Sequence, residues 1–223
     1  MTNPTTQSVT ERLVQGITQG LRNGLFVPGQ RLIETEFVER YGVSRSAVRE
    51  AFQRLVADEI LVMERHRGVT VREVTRKEID NVFRVRQALE TLAVRCALPA
   101  LHAHPEALLA CHQELLQAAP GNDMSAFVRL NDAFHRIICE AADNAVLTDA
   151  LRRLGNTIFQ VQFRATLNSR LIEEAAAEHD EIVRAILQGN EEAACAAAER
   201  HVIRSRDTLL AAYDANVAAS RIL

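Results

Sequence analysis

Residues 27–71, VPGQRLIETEFVERYGVSRSAVREAFQRLVADEILVMERHRGVTV, decide the fold, because the apolar period changes twice within this one stretch. From Glu34 to Tyr41, Phe37, Val38 and Tyr41 share one face of a helix, and Gly42 follows where a left-handed capping residue is wanted. After Val43, Ser44 is placed to cap a second helix whose inward side is Ala47, Val48, Ala51, Phe52 and Leu55. Two short helices separated by a turn containing Gly form a helix-turn-helix pattern. Ile60 to Glu64 and Val69 to Arg72 are then short β-branched runs, and Arg65, His66, Arg67 and Gly68 between them complete a hairpin.

Upstream, Val9, Leu13, Ile17 and Leu21 recur every four residues with Val14 beside them, which is the stripe of an amphipathic helix. Gly24 and the Pro28-Gly29 turn stop it, and the polar residues 1–8 carry no structural signal. Downstream, the polar and charged run from Glu73 to Lys77 marks a boundary near residue 75. Beyond it every segment has a helical pattern: about 77–98, 105–118, 123–142, 145–167, 171–188 and 191–215. The breaks fall at Pro99 through Pro105, Ala119 through Asn122, Asp143-Asn144 and Gln188 through Asn190. The expected protein is mainly α. A winged helix-turn-helix of three helices and a β-hairpin (residues 1–75) is joined to an all-α six-helix bundle (76–223).

Composition agrees with this architecture. A chain of 223 residues with 48% hydrophobic and 25% charged residues can bury a core and accommodates two domains. Aromatics at 4%, no Trp and abundant Ala and Leu favour helix over sheet. The net charge of -3 excludes a protein that coats nucleic acid indiscriminately, but the charge is uneven. Residues 1–75 carry ten Arg against nine acidic residues, while the remainder carries sixteen basic against twenty acidic, so the first part is the one suited to DNA. Cys96, Cys111, Cys139 and Cys195 form no CxxC pair and read as buried free thiols. With no basic-then-apolar leader and no long uncharged apolar run, a soluble, cytoplasmic protein with no membrane association is expected.

A recognition helix must place short polar and Arg side chains at its exposed N-terminal end, where base edges and phosphates are met. Ser44, Arg45, Ser46 and Arg49 do so in GVSRSAVREAFQRL, with Val48, Phe52 and Leu55 turned inward. An ordinary solvated surface helix would explain the arginines alone, but not their union with a Gly turn, a Ser cap and a basic hairpin tip. These residues resemble the N-terminal DNA-binding domain of the GntR family over most of residues 9–74. The resemblance implies phosphate and base contacts from Ser44, Arg45, Ser46 and Arg49, and wing contacts near Arg67 and Gly68. Thr35 departs from the family, some of whose members have an Arg there that touches DNA.

His135, His179 and His201 lie on three different expected helices, and imidazoles facing a bundle core are good ligands for a divalent metal. Asn131, one turn before His135, could add its side-chain oxygen, and Asp132, at three residues' spacing, offers the better ligand type. Any one of these histidines alone would more often be a satisfied polar group between helices. The segments FRVRQALETLAVRCA, NDAFHRIICEAADN and EHDEIVRAILQGNEEAACAAAERH are similar to the FCD ligand-binding domain of the FadR subfamily, in its six-helix, VanR-like form, over residues 78 to about 213. That similarity implies a metal shell of Asn131, His135, His179 and His201, with Zn or Ni as the divalent ion. It also implies that Arg86 binds an effector carboxylate. The alternative role of Arg86 is an i, i+4 ion pair with Glu90. His102, His104 and His112 have no matching partners and receive no role.

The function expected is a metabolite-responsive transcriptional regulator, most simply a repressor. It would bind a pseudo-palindromic double-stranded operator as a homodimer and respond to a small organic acid. The rival from another class is a metal-dependent helical-bundle enzyme fused to a DNA-binding domain, since three His with an open position also describe a hydrolytic zinc site. No HExxH, nucleophile elbow or phosphate-binding Gly loop supports it.

Overall fold

The computed structural model describes residues 8–22, 25–65, 68–119, 124–162 and 169–220. Gly24, His66 and Arg67, Pro120 through Asn122 and residues 163–167 of the expected fourth bundle helix lie outside the described residues. Contacts group most residues up to Thr75 into one compact unit and most of those from Arg76 onward into a second.

The first unit runs α1 (Val9–Arg22), β1 (Arg31–Leu32), α2 (Glu34–Tyr41), α3 (Arg45–Ala57), β2 (Leu61–Glu64) and β3 (Gly68–Val71). Leu13, Ile17 and Leu21 of α1 are buried, but Val9 is exposed and Thr10 takes the inward place. A strict four-residue spacing drifts about 40° per step around a 3.6-residue helix, so the stripe that stays inward is 10, 13, 17, 21. The Thr10 hydroxyl donates to Glu50 on α3 at 3.1 Å, which satisfies it there.

The helix-turn-helix is held by an aromatic cluster. The Phe37 ring meets the Phe52 ring edge-on at 5.2 Å, lies 5.6 Å from Phe26, and carries the exposed Tyr41 stacked at 5.8 Å. Gly42 closes α2 at φ 62° and ψ 38°, its N–H donating to the Val38 carbonyl at 3.0 Å. A Cβ at Gly42 would meet nothing within 4 Å, so the handedness of the backbone, and not crowding, selects glycine. Ser44 caps α3 by accepting from the Ala47 N–H at 3.2 Å, and Val48, Ala51, Phe52 and Leu55 are buried behind it.

The hairpin is part of a three-stranded antiparallel sheet in the order β1-β3-β2. Strand β1, too short to leave a periodic signal, pairs Arg31 with Thr70 and Leu32 with Val69. Strand β2 pairs Leu61 with Val71 and Met63 with Val69. The central strand β3 therefore has partners on both sides, and its Val69, Thr70 and Val71 are all buried.

From Arg76 onward come α4 (Arg76–Ala103), α5 (Glu106–Ala118), α6 (Met124–Ala141), α7 (Ala145–Gln162), α8 (Ser169–Leu187) and α9 (Glu191–Ser220), all of them in the second unit except α7 beyond Leu154. The expected stop at Pro99 is corrected, because α4 continues through it to Ala103. A proline inside a helix forfeits one backbone hydrogen bond and costs about 3 kcal/mol. Pro99 faces solvent while Ala97 and Leu101 are buried on either side, so packing of the continued helix outweighs that cost. Helices α4 and α9 run antiparallel, as the pairs Arg76–Asp214 (3.0 Å), Gln87–Glu199 (2.7 Å) and Arg95–Glu191 (3.1 Å) show in succession. Small buried residues, Ala93 and Ala97 on α4 and Ala194, Ala197 and Ala198 on α9, belong to the same core as Phe134, Ile172, Ile182 and Ile186.

Two smaller expectations are also corrected. Cys96 is exposed, being on the solvent side of α4, whereas Cys111 and Cys195 are buried and Cys139 is half-buried. His102 has a packing role: its Nδ1 lies 3.2 Å from the Ile186 carbonyl, and its ring covers Gly189, which ends α8 at φ 65°. Among the described residues no helix is long and apolar enough to cross a membrane.

Phe52 joins α2 to α3 through the Phe37 ring and is 2% exposed. Phe52→Ala is expected to destabilise the first unit by about 3–5 kcal/mol. Urea unfolding of the full chain, followed by a probe in α3, should show its transition moved to lower denaturant while that of the helical bundle stays in place.

Candidate metal centre and nucleic-acid interface

The N-terminal end of α3 presents Ser44, Arg45, Ser46 and Arg49 to solvent. The Ser44 and Ser46 hydroxyls lie 2.9 Å apart, so a cap group and its neighbour form one small polar surface above the helix N-terminus. Unpaired N–H groups and the helix dipole make that end receptive to phosphate. Arg49 is engaged: its Nε donates to both Glu34 oxygens, at 2.9 and 3.0 Å. With the two side chains 60% and 32% exposed, such a pair contributes only ~0–1 kcal/mol, little enough for a phosphate to displace.

On the wing, Gly68 begins β3 at φ 81°. The guanidinium of Arg31 lies 3.8 Å from where a Gly68 Cβ would stand. Arg31 is an exposed cation that sequence reading passed over, because only the pairing of β1 with β3 brings it to the wing. Arg67 lies outside the described residues.

In the second unit α6, α8 and α9 supply His135, His179 and His201. One nitrogen of each lies within 4.8 Å of one nitrogen of the others. The ring centroids are 5.4 Å (His135–His179), 5.2 Å (His135–His201) and 4.6 Å (His179–His201) apart. The Phe134 ring, 4.4 Å from that of His179, closes the apolar side. His179 has no exposed surface, and neither of its ring nitrogens has a hydrogen-bond partner among the described residues.

That last observation sets His179 apart from ordinary core histidines. Leaving a buried polar group unpaired costs about 1–3 kcal/mol, and native cores rarely tolerate it. His112, also buried, shows the usual solution in part, with its Nε2 3.1 Å from Asp180. Three convergent imidazoles, one of them without a partner among the described residues, could hold a metal ion. Burial, foremost, pushes the His135 imidazolium down to about 4, with the Glu90 charge opposing, so the ring is neutral at physiological pH. Burial and the neighbouring His201 and His135 likewise hold His179 well below its ordinary value. Neutral imidazole is the form that ligates.

Around the triad stand two carboxylates, Glu90, which sequence reading offered only as an ion-pair partner for Arg86, and Glu178, which it passed over. Glu90 on α4 is buried, with one oxygen 3.4 Å from His135 Nδ1 and the other accepting from Arg86 Nε at 2.6 Å. Burial works to raise the Glu90 carboxyl, but the Arg86 guanidinium and the nearby imidazoles outweigh it and hold it below its ordinary range. The i, i+4 pair open to Arg86 is thus formed, and its guanidinium also lies 5.3 Å from the Phe83 ring. Glu178 on α8, equally buried, has one oxygen 2.8 Å from His201 Nδ1 and accepts from Arg204 with the other at 3.0 Å. Of the possible fourth ligands, Asn131 is half-buried one turn before His135, and Asp132 is exposed. Cys139, one turn after it, is raised to about 11 by burial and by the Glu90 charge, and stays a thiol.

A winged helix-turn-helix with a polar, Arg-bearing third helix, carried with a helical bundle whose core holds a histidine cluster, has the form of a DNA-binding regulator. Residues 9–71 match the model of the bacterial regulatory proteins of the gntR family, and residues 81–204 match the FCD domain. The chain belongs to the GntR family of transcriptional regulators, in the group that carries an FCD domain. It is 31% identical to the probable D-xylose utilization operon transcriptional repressor of Paenarthrobacter nicotinovorans, covering 89% of this chain and 87% of the relative. It is 29% identical to the HTH-type transcriptional regulator YdhC of Bacillus subtilis, over 81% and 80% of the two chains. Among solved structures, E. coli McbR/YncC superposes with a TM-score of 0.80 at 24% identity, over 93% of this chain and all of that one, which shows the shared fold. The family and these relatives are regulators of transcription, so the enzyme reading finds no support.

Replacing His179 by Leu removes two unpaired nitrogens at similar volume. Metal-free His179→Leu is expected to melt at or above the temperature of the metal-free wild type. Added zinc should raise the melting temperature of the wild type and leave the variant unchanged. A variant that is less stable without metal, and equally raised with it, contradicts the assignment.

Proposed function

We propose that this chain is a metabolite-responsive repressor that binds a pseudo-palindromic operator in the cytoplasm as a homodimer. In this reading, residues 1–75 hold the DNA and residues 76–223 hold the ligand and the partner subunit. The observation that carries the sensing half is the bare, fully buried His179 between His135 and His201. These three would bind one divalent ion, zinc or nickel, with Asn131 as the oxygen ligand; its half-buried position favours it over exposed Asp132. The ion supplies a positive centre with positions left for a ligand oxygen. A small organic acid suits such a centre, and Arg86 is the group to grip a second oxygen, by sharing or displacing Glu90. An acid that favours one arrangement of the two domains over another would thereby change affinity for DNA.

On the DNA side, Arg45 and Arg49 read bases or phosphates, Ser44 and Ser46 hold phosphate at the helix terminus, and Arg67 and Gly68 contact the adjacent groove or backbone from the wing. Twofold symmetry supports the dimer, because one recognition helix reads only a few base pairs.

Arg45→Ala and Arg49→Ala are each expected to weaken operator binding by about 1–3 kcal/mol with melting temperatures unchanged. Fluorescence anisotropy on the regulator's own promoter region, over a salt series, reads this, and normal binding by either variant removes that contact. Sedimentation of the complex should give two chains per operator; one chain bound at full affinity to a half-site defeats the dimeric reading.

A further inference from the structure

Two of the three imidazoles are served by similar arms. Arg86–Glu90 approaches His135 from α4, and Arg204–Glu178 approaches His201 across α8 and α9. The second arm has the closer geometry. One Glu178 oxygen lies 2.8 Å from His201 Nδ1, and its other oxygen accepts from Arg204 NH1 at 3.0 Å. Glu178 is 8% exposed and His201 5%, so no bulk water competes for this contact. A buried carboxylate that must accept a proton-bearing nitrogen at Nδ1 excludes the tautomer with its hydrogen on Nε2, and leaves Nε2 with the lone pair.

The geometry points to Glu178 as the positioning residue of the metal centre: it fixes the tautomer and the ring orientation of His201, so that Nε2 is the ligating atom, while Arg204 holds the carboxylate in place. This rests on the reading of His135, His179 and His201 as a metal site. The chain order makes the arrangement economical, since Glu178 adjoins His179 on α8 and Arg204 follows His201 by one turn on α9. One helix thus delivers a ligand together with the group that aims its neighbour's ligand. A partner carboxylate at the far nitrogen also raises the basicity of a ligating imidazole, and loss of such a partner typically lowers metal affinity 10- to 100-fold.

The test uses the full chain with zinc alone, in competition with a chromophoric chelator, for wild type, Glu178→Gln and Glu178→Ala. Gln presents one acceptor oxygen and cannot satisfy both the His201 and the Arg204 N–H groups; Ala presents none. Zinc affinity is expected to fall about 10-fold or more for Glu178→Gln and towards about 100-fold for Glu178→Ala. In the metal-free wild type, long-range proton–nitrogen NMR should show His201 with its hydrogen on Nδ1, and Glu178→Ala should lose that preference. A Glu178 that only packs α8 against α9 would lower the melting temperature of the metal-free chain and leave both zinc affinity and tautomer unchanged. That outcome, or a wild-type His201 protonated at Nε2, overturns the inference while the metal site stands. A wild type that binds no zinc overturns both.

Discussion

A fully buried imidazole, that of His179, lies in the second unit, and its two nitrogens have no partner among the described residues. Its cost is comparable to a large part of the net stability of a domain, and an apolar residue of the same volume would avoid it. Retaining it makes physical sense if the nitrogens are completed by something that is not protein. The surroundings accord with that: the Phe134 ring lies against His179 on one side, the His135 and His201 rings stand on the other, and carboxylates paired with arginines lie behind His135 and His201. The long antiparallel pair α4 and α9, brought close by alanines, places Glu90 and His201 within one core.

The first unit follows a different economy. Its core is closed by Phe26, Phe37 and Phe52, so the polar end of α3 is free of packing duties. Arg49 is restrained by its exposed pair with Glu34, a contact weak enough to be exchanged for another partner. Opposite faces of one helix are thereby divided, with Val48, Ala51, Phe52 and Leu55 buried on one and Arg45, Ser46 and Arg49 exposed on the other.

Much of this was legible in the sequence, wherever a feature depends on residues close along the chain. Helix periods, the Gly42 turn, the Ser44 cap and the hairpin runs are local, and α2 has the bounds its pattern implied. The exceptions are instructive. Pro99 is a local breaker overruled by burial of Ala97 and Leu101, and Val9 matched a four-residue spacing that the true helical period rotates outward. Strand β1 has only two residues and exists because β3 offers it an edge. Glu90 and Glu178 were invisible as members of a site because acidic residues on amphipathic helices usually face water; only the packing of α4, α8 and α9 turns them inward. The three histidines could be named because imidazole is scarce and chemically particular, whereas their partners belong to a common residue type.

Gly42 carries a consequence of its own. Its backbone lies in the left-handed region while the space around its Cα is empty, so what the turn rejects is chirality and not bulk. A mirror-image alanine, introduced by chemical ligation, would sit there without strain and would narrow the freedom of the unfolded chain, whereas the natural enantiomer would pull against the turn. The angle between α2 and α3 is thus set at one stereocentre-free atom.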